Sequence, residues 1–171
     1  CDVWRWCGCE DRKEVQMNVK NFTLDEFCAS DTATRLRIDN TLPEALEPAA
    51  WVTLAMLERI RAHLSKKAGK DVPITILSGY RCERLNAAVN GSATSDHVKA
   101  CAADIRAPAF GKPLDVAREL SGHVDELGIG QLINEFPGPS GWVHVSTKKP
   151  AKLINRIITI TAQGVTAGVK S

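Results

Sequence analysis

Two histidines and one aspartate are of residue types, and at a spacing, that could bind a catalytic metal ion. His97 and Asp104 both lie in the run Ser95–Asp104, and His144 follows within Trp142–Ser146. Two imidazoles and a carboxylate are a ligand set that a catalytic zinc ion can use while one position stays open for water. The pattern predicts metal-assisted hydrolysis, although the spacing alone is loose and ordinary hydrogen-bonded histidines remain the alternative.

The alternation of side chains along strands predicts how these groups are positioned. If Ala100–Arg106 is a strand, Asp104 shares a face with the small residues Ala100 and Ala102, while the alternate residues Cys101, Ala103 and Ile105 face the core. By the same alternation, His144 points away from the two valines that flank it. His97 comes just before the first strand, on a loop that we expect to fold over this face and complete a three-ligand site.

Apolar periodicity predicts the elements around the site. A capping box at Thr23 and Glu26 predicts a short helix, and helical spacing predicts two longer ones. These longer helices run from about Pro48 to Gly69 and over Pro113–Leu127. Strands are predicted over Val72–Leu77, Ala100–Arg106, Gln131–Phe136, Trp142–Thr147 and Leu153–Thr161. The predicted fold class is α+β, with helices packed on a small, mainly antiparallel sheet.

Composition and charge exclude several classes of function. The 171-residue chain carries 22 basic and 20 acidic residues spread along its length, and its net charge of +2 offers no basic stripe to nucleic acid. Apolar stretches such as residues 157–162 are far shorter than the roughly 20 residues that span a membrane. We therefore expect no nucleic-acid or membrane partner, and a single monomeric domain over residues 17–171.

The first 16 residues are predicted to be a flexible leader or extension, because domain-like sequence begins at Met17. They hold three of the six cysteines, and no disulfide framework is evident, so reduced thiols are expected. Metal binding or a strained bridge at Cys7-Gly8-Cys9 is a minor alternative, and a mature lipoprotein beginning at Cys1 is left open. No export signal is recognised, and the compartment is not predicted.

Several short motifs together resemble one known family. In chain order they are Ser78-Gly79-Tyr80-Arg81, Leu85-Asn86, Val89-Asn90-Gly91-Ser92, Ser95 to Asp104 and Gly141 to Ser146. Their order and spacing resemble the zinc D-alanyl-D-alanine carboxypeptidases of the M15 family, especially the branch with phage-encoded cell-wall peptidases. The similarity runs from about Phe22 to Ser146. It implies a hedgehog/DD-peptidase-like fold and an endolysin-like activity on peptidoglycan stem peptides, at a terminal D-Ala-D-Ala or an internal L-Ala-D-Glu type bond.

The resemblance also implies a role for each matching residue. The positions that match the family's zinc ligands are His97, Asp104 and His144, so Zn²⁺ is the expected cofactor. Arg81 matches the arginine that grips the substrate, and its guanidinium fork suits a carboxylate. Ser95 is expected to support the same pocket. Trp142 is a further candidate for substrate binding, with plain core packing as its alternative.

The expected position does not supply a general base. Several enzymes of this family carry a glutamate three residues before the last histidine, where this chain has Gly141. In a hairpin that closes around residues 137–141, the register that pairs Glu135 with Trp142 puts Glu135 on the face of His144. Glu135 is therefore the predicted base for the attacking water, and a structural hydrogen bond is its alternative role.

Two non-enzymatic interpretations stay open. A zinc-stabilised binding or virion structural module is favoured by the missing glutamate and by Ala100, where the family usually has glycine. We expect this alanine to tighten the loop without removing the site. A metal-free interaction domain is the other interpretation. His63 and His123 lie on predicted helices and are not predicted to bind metal.

Overall fold

The helices begin and end at residues that suit helix termini. In the computed structural model, which describes residues 18–171, the Thr23 hydroxyl accepts a hydrogen bond from the Glu26 backbone N–H at 3.1 Å. The longest helix ends at Gly69, whose φ of 64° suits glycine. The helices are α1 (Leu24–Cys28), α2 (Asp31–Leu36), α3 (Glu47–Ala68), α4 (Glu83–Ala88) and α5 (Pro113–Ser121). The predicted leader, residues 1–16, lies outside the described residues.

A six-stranded sheet packs against these helices. Its strands are β1 (Thr75–Ser78), β2 (Ala102–Arg106), β3 (Gln131–Glu135), β4 (Trp142–Ser146), β5 (Ile157–Thr161) and β6 (Gly164–Ala167). Their order is β1-β2-β4-β3-β5-β6, and every neighbouring pair is antiparallel except the parallel pair of β3 and β5. The predicted α+β class, with helices on a mainly antiparallel sheet, is confirmed.

Helix α5 is shorter than its apolar stripe predicts. The prediction extended it to Leu127, but it ends at Ser121 and Gly122 follows. Glycine is a weak helix former, and the His123 N–H donates to the Leu120 carbonyl at 3.0 Å in a tight turn. Val124 and Leu127 are still buried, so the apolar stripe correctly predicts burial but not helix length.

Two strand predictions are also wrong at their ends. Strand β1 begins at Thr75 rather than Val72, and the intervening Pro73 has no N–H to donate to a ladder. The predicted strand Leu153–Thr161 begins with a 3-10 turn and becomes extended only in β5, while β6 was not predicted. These errors lie away from the candidate ligands.

The core lies between α3 and one face of the sheet. The predicted stripe of α3 is fully buried, and its members are Leu54, Leu57, Ile60 and Leu64. Alternate strand residues join the same cluster, among them Ala103, Ile105, Val143 and Val145. Because successive side chains of a strand point to opposite faces, the other face of β2 and β4 can carry polar groups. Of the helices in residues 18–171, none has the length and apolar character to cross a membrane.

Ala100 lies outside β2, so its predicted place beside Asp104 on the strand is wrong. It ends the 3-10 turn Asp96–Lys99 with a φ of 55° and packs into the core. Its carbonyl accepts a hydrogen bond from the buried Thr53 hydroxyl at 2.8 Å. The left-handed conformation costs an L-residue about 1–2 kcal/mol, a cost that glycine avoids. This geometry explains the preference for glycine in the family that the motifs resemble.

We expect Thr53→Val to lower the free energy of unfolding by about 1–3 kcal/mol, because the buried Ala100 carbonyl loses that hydrogen bond. Valine has nearly the shape of threonine, so packing changes little. Thr166→Val on the exposed strand β6 is the matched control and is expected to change stability by less than about 0.5 kcal/mol. Urea unfolding of both variants measures the difference, and equal effects would refute the role of Thr53.

Candidate metal centre

The side chains of His97, Asp104 and His144 converge on one point. Oδ1 of Asp104 lies 2.9 Å from Nδ1 of His144 and 3.2 Å from Nε2 of His97, and the two nitrogens are 3.2 Å apart. All three residues are buried. The structure therefore brings together the three candidate ligands from two strands and a turn.

Cross-strand register produces this convergence. Asp104 in β2 lies directly opposite His144 in β4, and His144 lies opposite Ile133 in β3. On the other side, Ser78 in β1 lies opposite Asp104. Directly opposed residues point to the same face, so this row crosses four strands on the face away from the α3 core.

His97 is positioned by a turn rather than by a strand. Its backbone N–H donates to the Ser95 hydroxyl at 3.3 Å, which caps the 3-10 turn Asp96–Lys99. Its Nδ1 lies 2.6 Å from the Gly79 carbonyl oxygen. Because a carbonyl only accepts, Nδ1 carries the proton and Nε2 presents a lone pair to the other two side chains.

Hydrogen bonds among the three converging atoms cannot account for all of their contacts. With both histidines neutral and Asp104 ionised, only Nδ1 of His144 can supply a hydrogen, and it points in one direction. Ligand atoms on a tetrahedral zinc ion, with bonds of about 2.0–2.1 Å, lie roughly 3.3 Å apart. The observed separations of 2.9–3.2 Å are close to that spacing. The donor set fits a divalent metal ion.

Arg81 lies at the rim of this group, just after β1. Its Nε donates to the Ser78 hydroxyl at 2.7 Å, and its Nη2 donates to Oδ2 of Asp104. The same Nη2 lies 3.4 Å from Nε2 of His97. Since a guanidinium only donates, this contact agrees with an unprotonated Nε2. Asp104 thus gives one oxygen to Arg81 and the other to the converging atoms.

The predicted register of the hairpin is confirmed, since Glu135 lies opposite Trp142. Glu135 therefore lies on the face of His144. Burial, and then the negative charge of Asp104, raise the pKa of Glu135 above its ordinary value, and His144 and Arg81 partly oppose this rise. A half-buried carboxyl with a raised pKa accepts a proton more readily than an exposed one does.

Residue 141 has no room for a side chain. A Cβ on Gly141 would lie 2.1 Å from the Phe136 carbonyl oxygen and 2.7 Å from that of Glu135. Both oxygens belong to the backbone of the hairpin, which would have to open to admit a larger residue. The Phe136 and Trp142 rings lie beside this turn, with centroids 5.5 Å apart. Residue 141 therefore cannot carry a carboxylate unless the hairpin backbone moves.

Comparison with protein-family models matches residues 20–146 to Peptidase M15. This range is more than half of the chain and contains every candidate site residue. The chain belongs to the M15 peptidase family. The resemblance of the sequence motifs is thereby confirmed, and the α+β fold agrees with it. A search of curated proteins gives no match.

Charge and burial set the protonation states in this M15 peptidase. Burial lowers the pKa of His97, which favours the neutral imidazole that binds metals. Burial alone would raise the pKa of Asp104, but His97 and His144 outweigh it and hold that pKa below its ordinary value. Burial likewise opposes protonation of His144, yet its hydrogen bond to Asp104 leaves its pKa raised. A metal ion must displace that proton, so its affinity falls as the pH falls.

Some positioning groups of this M15 peptidase were missed in the sequence. The Gly79 carbonyl orients His97, and the Asp96 carboxylate accepts a hydrogen bond from the Ser146 hydroxyl at 2.8 Å, which ties the turn to β4. Gly79 and Asp96 lie within the quoted motifs, but a backbone carbonyl leaves no mark on residue type. Ser95 caps the turn that carries His97, and its role in substrate binding stays a prediction.

We expect Gly79→Ala to weaken Zn²⁺ binding by about 10–100-fold, the usual effect of disturbing a group that orients a ligand. The new Cβ would lie 2.2 Å from the Phe27 carbonyl oxygen, so the segment that holds His97 must shift. Gly122→Ala is the matched control, because a Cβ there meets nothing within 4 Å. Competition titration against a chromogenic chelator measures both affinities. An unchanged Zn²⁺ affinity in Gly79→Ala would contradict the role of the Gly79 carbonyl in orienting His97.

Proposed function

We propose that this M15 peptidase is a zinc-dependent hydrolase of peptide bonds in peptidoglycan stem peptides. The observation that carries the proposal is the convergence of three buried ligand atoms, each within 3.2 Å of the others. Glu135 lies on the same face, and Arg81 donates a hydrogen bond to Asp104, one of the three ligands. The similarity of the sequence motifs to zinc carboxypeptidases and phage cell-wall peptidases supports the substrate class.

The ligand atoms would be Nε2 of His97, Oδ1 of Asp104 and Nδ1 of His144. Bound Zn²⁺ would supply Lewis-acid chemistry, which activates water and polarises the scissile carbonyl. The Gly79 carbonyl keeps Nε2 of His97 unprotonated, and Arg81 holds the second oxygen of Asp104. The chain thereby fixes the orientation of two ligands through groups that make no contact with the metal.

Glu135 is the proposed general base. Its carboxylate would accept the proton of the attacking water and then return a proton to the leaving amine nitrogen. Burial and the charge of Asp104 raise its pKa, which strengthens it as a base compared with an exposed glutamate. This assigns to β3 the role that other enzymes of the family give to a glutamate three residues before the last histidine.

Arg81 is the proposed anchor for a substrate carboxylate. Its Nε and Nη2 already donate to Ser78 and Asp104. Within residues 18–171, no acceptor takes a hydrogen bond from its Nη1, so these two N–H groups can serve the substrate. Trp142 would pack against the peptide on the Glu135 side of the site, next to the Phe136 ring.

Two bonds of the stem peptide fit the proposal, namely a terminal D-Ala-D-Ala bond and an internal L-Ala-D-Glu type bond. Both place a carboxylate near the scissile bond that Arg81 can bind, because D-Ala ends in one and D-Glu carries one. The products distinguish them, since the first cleavage releases free D-Ala and the second exposes a new D-Glu amino terminus.

A zinc-stabilised binding or virion structural module with little turnover is the second candidate. The left-handed backbone at Ala100 and the absence of a carboxylate at residue 141 favour it. Under this candidate, Glu135 would make only a structural contact. Zinc content and turnover must therefore be measured on the same preparation.

We expect the zinc-loaded protein to release new termini from purified peptidoglycan, and a chelator to abolish this release. Adding Zn²⁺ back to the chelated protein is the control and is expected to restore the products. Mass spectrometry of the muropeptides identifies the cleaved bond. Zinc binding without any chelator-sensitive product would favour the structural module and sink the hydrolase proposal.

We expect Glu135→Gln to lower kcat by about 10²–10⁴-fold while zinc content stays the same, because glutamine cannot accept the proton. Glu44→Gln on an exposed 3-10 turn is the matched control and is expected to retain full activity. Steady-state kinetics on a stem-peptide substrate and metal analysis of each variant are the measurements. Full activity in Glu135→Gln would show that Glu135 is not the general base.

A further inference from the structure

A second group of metal-binding side chains lies at the junction of two helices. His63 belongs to α3, Glu119 belongs to α5, and His123 follows the end of α5; we name these three residues the α3–α5 cluster. Nε2 of His63 lies 2.9 Å from Oε1 of Glu119, and Nε2 of His123 lies 3.8 Å from the same oxygen. The imidazole rings of the two histidines lie 4.3 Å apart between centroids.

We propose that the α3–α5 cluster is a second metal site, selective for a divalent transition ion such as Zn²⁺. Its three ligand atoms all lie within 4.8 Å of one another. Ligands of a tetrahedral zinc ion lie roughly 3.3 Å apart, so small rotamer changes close the site. Two imidazoles and one carboxylate suit Zn²⁺ and its neighbours in the transition series rather than Ca²⁺ or Mg²⁺, which prefer oxygen ligands.

Glu126 provides independent support, because it orients one of the ligands. Its Oε2 lies 3.2 Å from Nδ1 of His123, so the ring donates its Nδ1 proton to this carboxylate. In the neutral ring that binds a metal, Nε2 then presents its lone pair on the side of Glu119. Carboxylate, imidazole and metal in this order form the usual support of a histidine ligand. His123 thus lies between the carboxylate of Glu126, which can orient its ring, and that of Glu119, which can share the ion with it.

Charge and access around the α3–α5 cluster also suit a cation. The ionised groups in the ion pairs of this cluster are Glu119, Glu126 and Lys67, which sum to one negative charge when the histidines are neutral. Lys67 contacts Oε2 of Glu119 at 3.3 Å, which leaves Oε1 to face the histidines. The side chains of His63 and Glu119 are 16% and 15% exposed, and that of His123 is 39% exposed, so an ion and a water ligand can enter from solvent.

The cluster is separate from the proposed catalytic centre. His63 and Glu119 belong to the helices that pack on the core face of the sheet, whereas His97, Asp104 and His144 lie on its other face. A metal ion here would link α3 to the end of α5. Its role would be to hold the helical layer together, and peptide hydrolysis would not require it.

The test counts Zn²⁺ ions by equilibrium dialysis and elemental analysis in the presence of a weak competing chelator. His63→Gln and the more exposed His123→Gln are each expected to lose one equivalent of Zn²⁺ relative to the unmodified chain while keeping peptidase activity. A His97→Ala background separates the two proposals. Adding His63→Gln to His97→Ala is expected to remove one further equivalent and to abolish the rise in melting temperature that Zn²⁺ causes in His97→Ala.

Each outcome decides between the proposals. Unchanged zinc counts in both His63→Gln and His123→Gln would overturn the second site, whatever the catalytic centre does. Loss of one equivalent in His63→Gln but none in His97→Ala would support the second site and overturn zinc binding at the proposed catalytic centre. Loss in every single variant, with additivity in the double variant, would support both.

Discussion

The buried carboxylate of Asp104 is the constraint on which the site depends. An ionised group that is 6% exposed must be compensated by partners, and Asp104 contacts one guanidinium and two imidazoles. Arg81 and His97 reach it from loops after and before strands, and His144 lies opposite it in the sheet. The turn that carries His97, the loop that carries Arg81 and the strand position of His144 therefore surround one negative charge. That charge also favours a bound cation.

Much of this arrangement follows from residue order in two short strands. Alternation predicts that Asp104 and His144 point away from their apolar neighbours, and the length of the hairpin predicts the partner of Glu135. His97 could be assigned only to a loop, because its orientation depends on a carbonyl contributed by Gly79. Contacts of that kind leave no pattern in the sequence, since every residue type carries the same carbonyl.

The errors of prediction have physical causes. The sequence predicts that Ala100 continues a strand because alanine gives no local sign of a positive φ, whereas the glycine usual in the family would indicate the turn. The apolar stripe of α5 continues past the helix end because a turn can bury Val124 and Leu127 as a helix would. The sequence predicts no metal binding for His63 and His123, because a single histidine on a helix is more often a surface or hydrogen-bonded residue than a ligand. Only the packing of α3 on α5 brings the two together.

Strand β5 pairs in parallel with β3 but lies outside the segment that matches the family. The match to Peptidase M15 ends at residue 146, yet the next segment supplies β5, in which Ile160 lies opposite Glu135. Without β5 and β6, the strand that carries Glu135 would be an edge strand with unpaired N–H and C=O groups, open to solvent and to other chains. A chain truncated at residue 146, where the family match ends, would therefore lack two strands of the folded sheet.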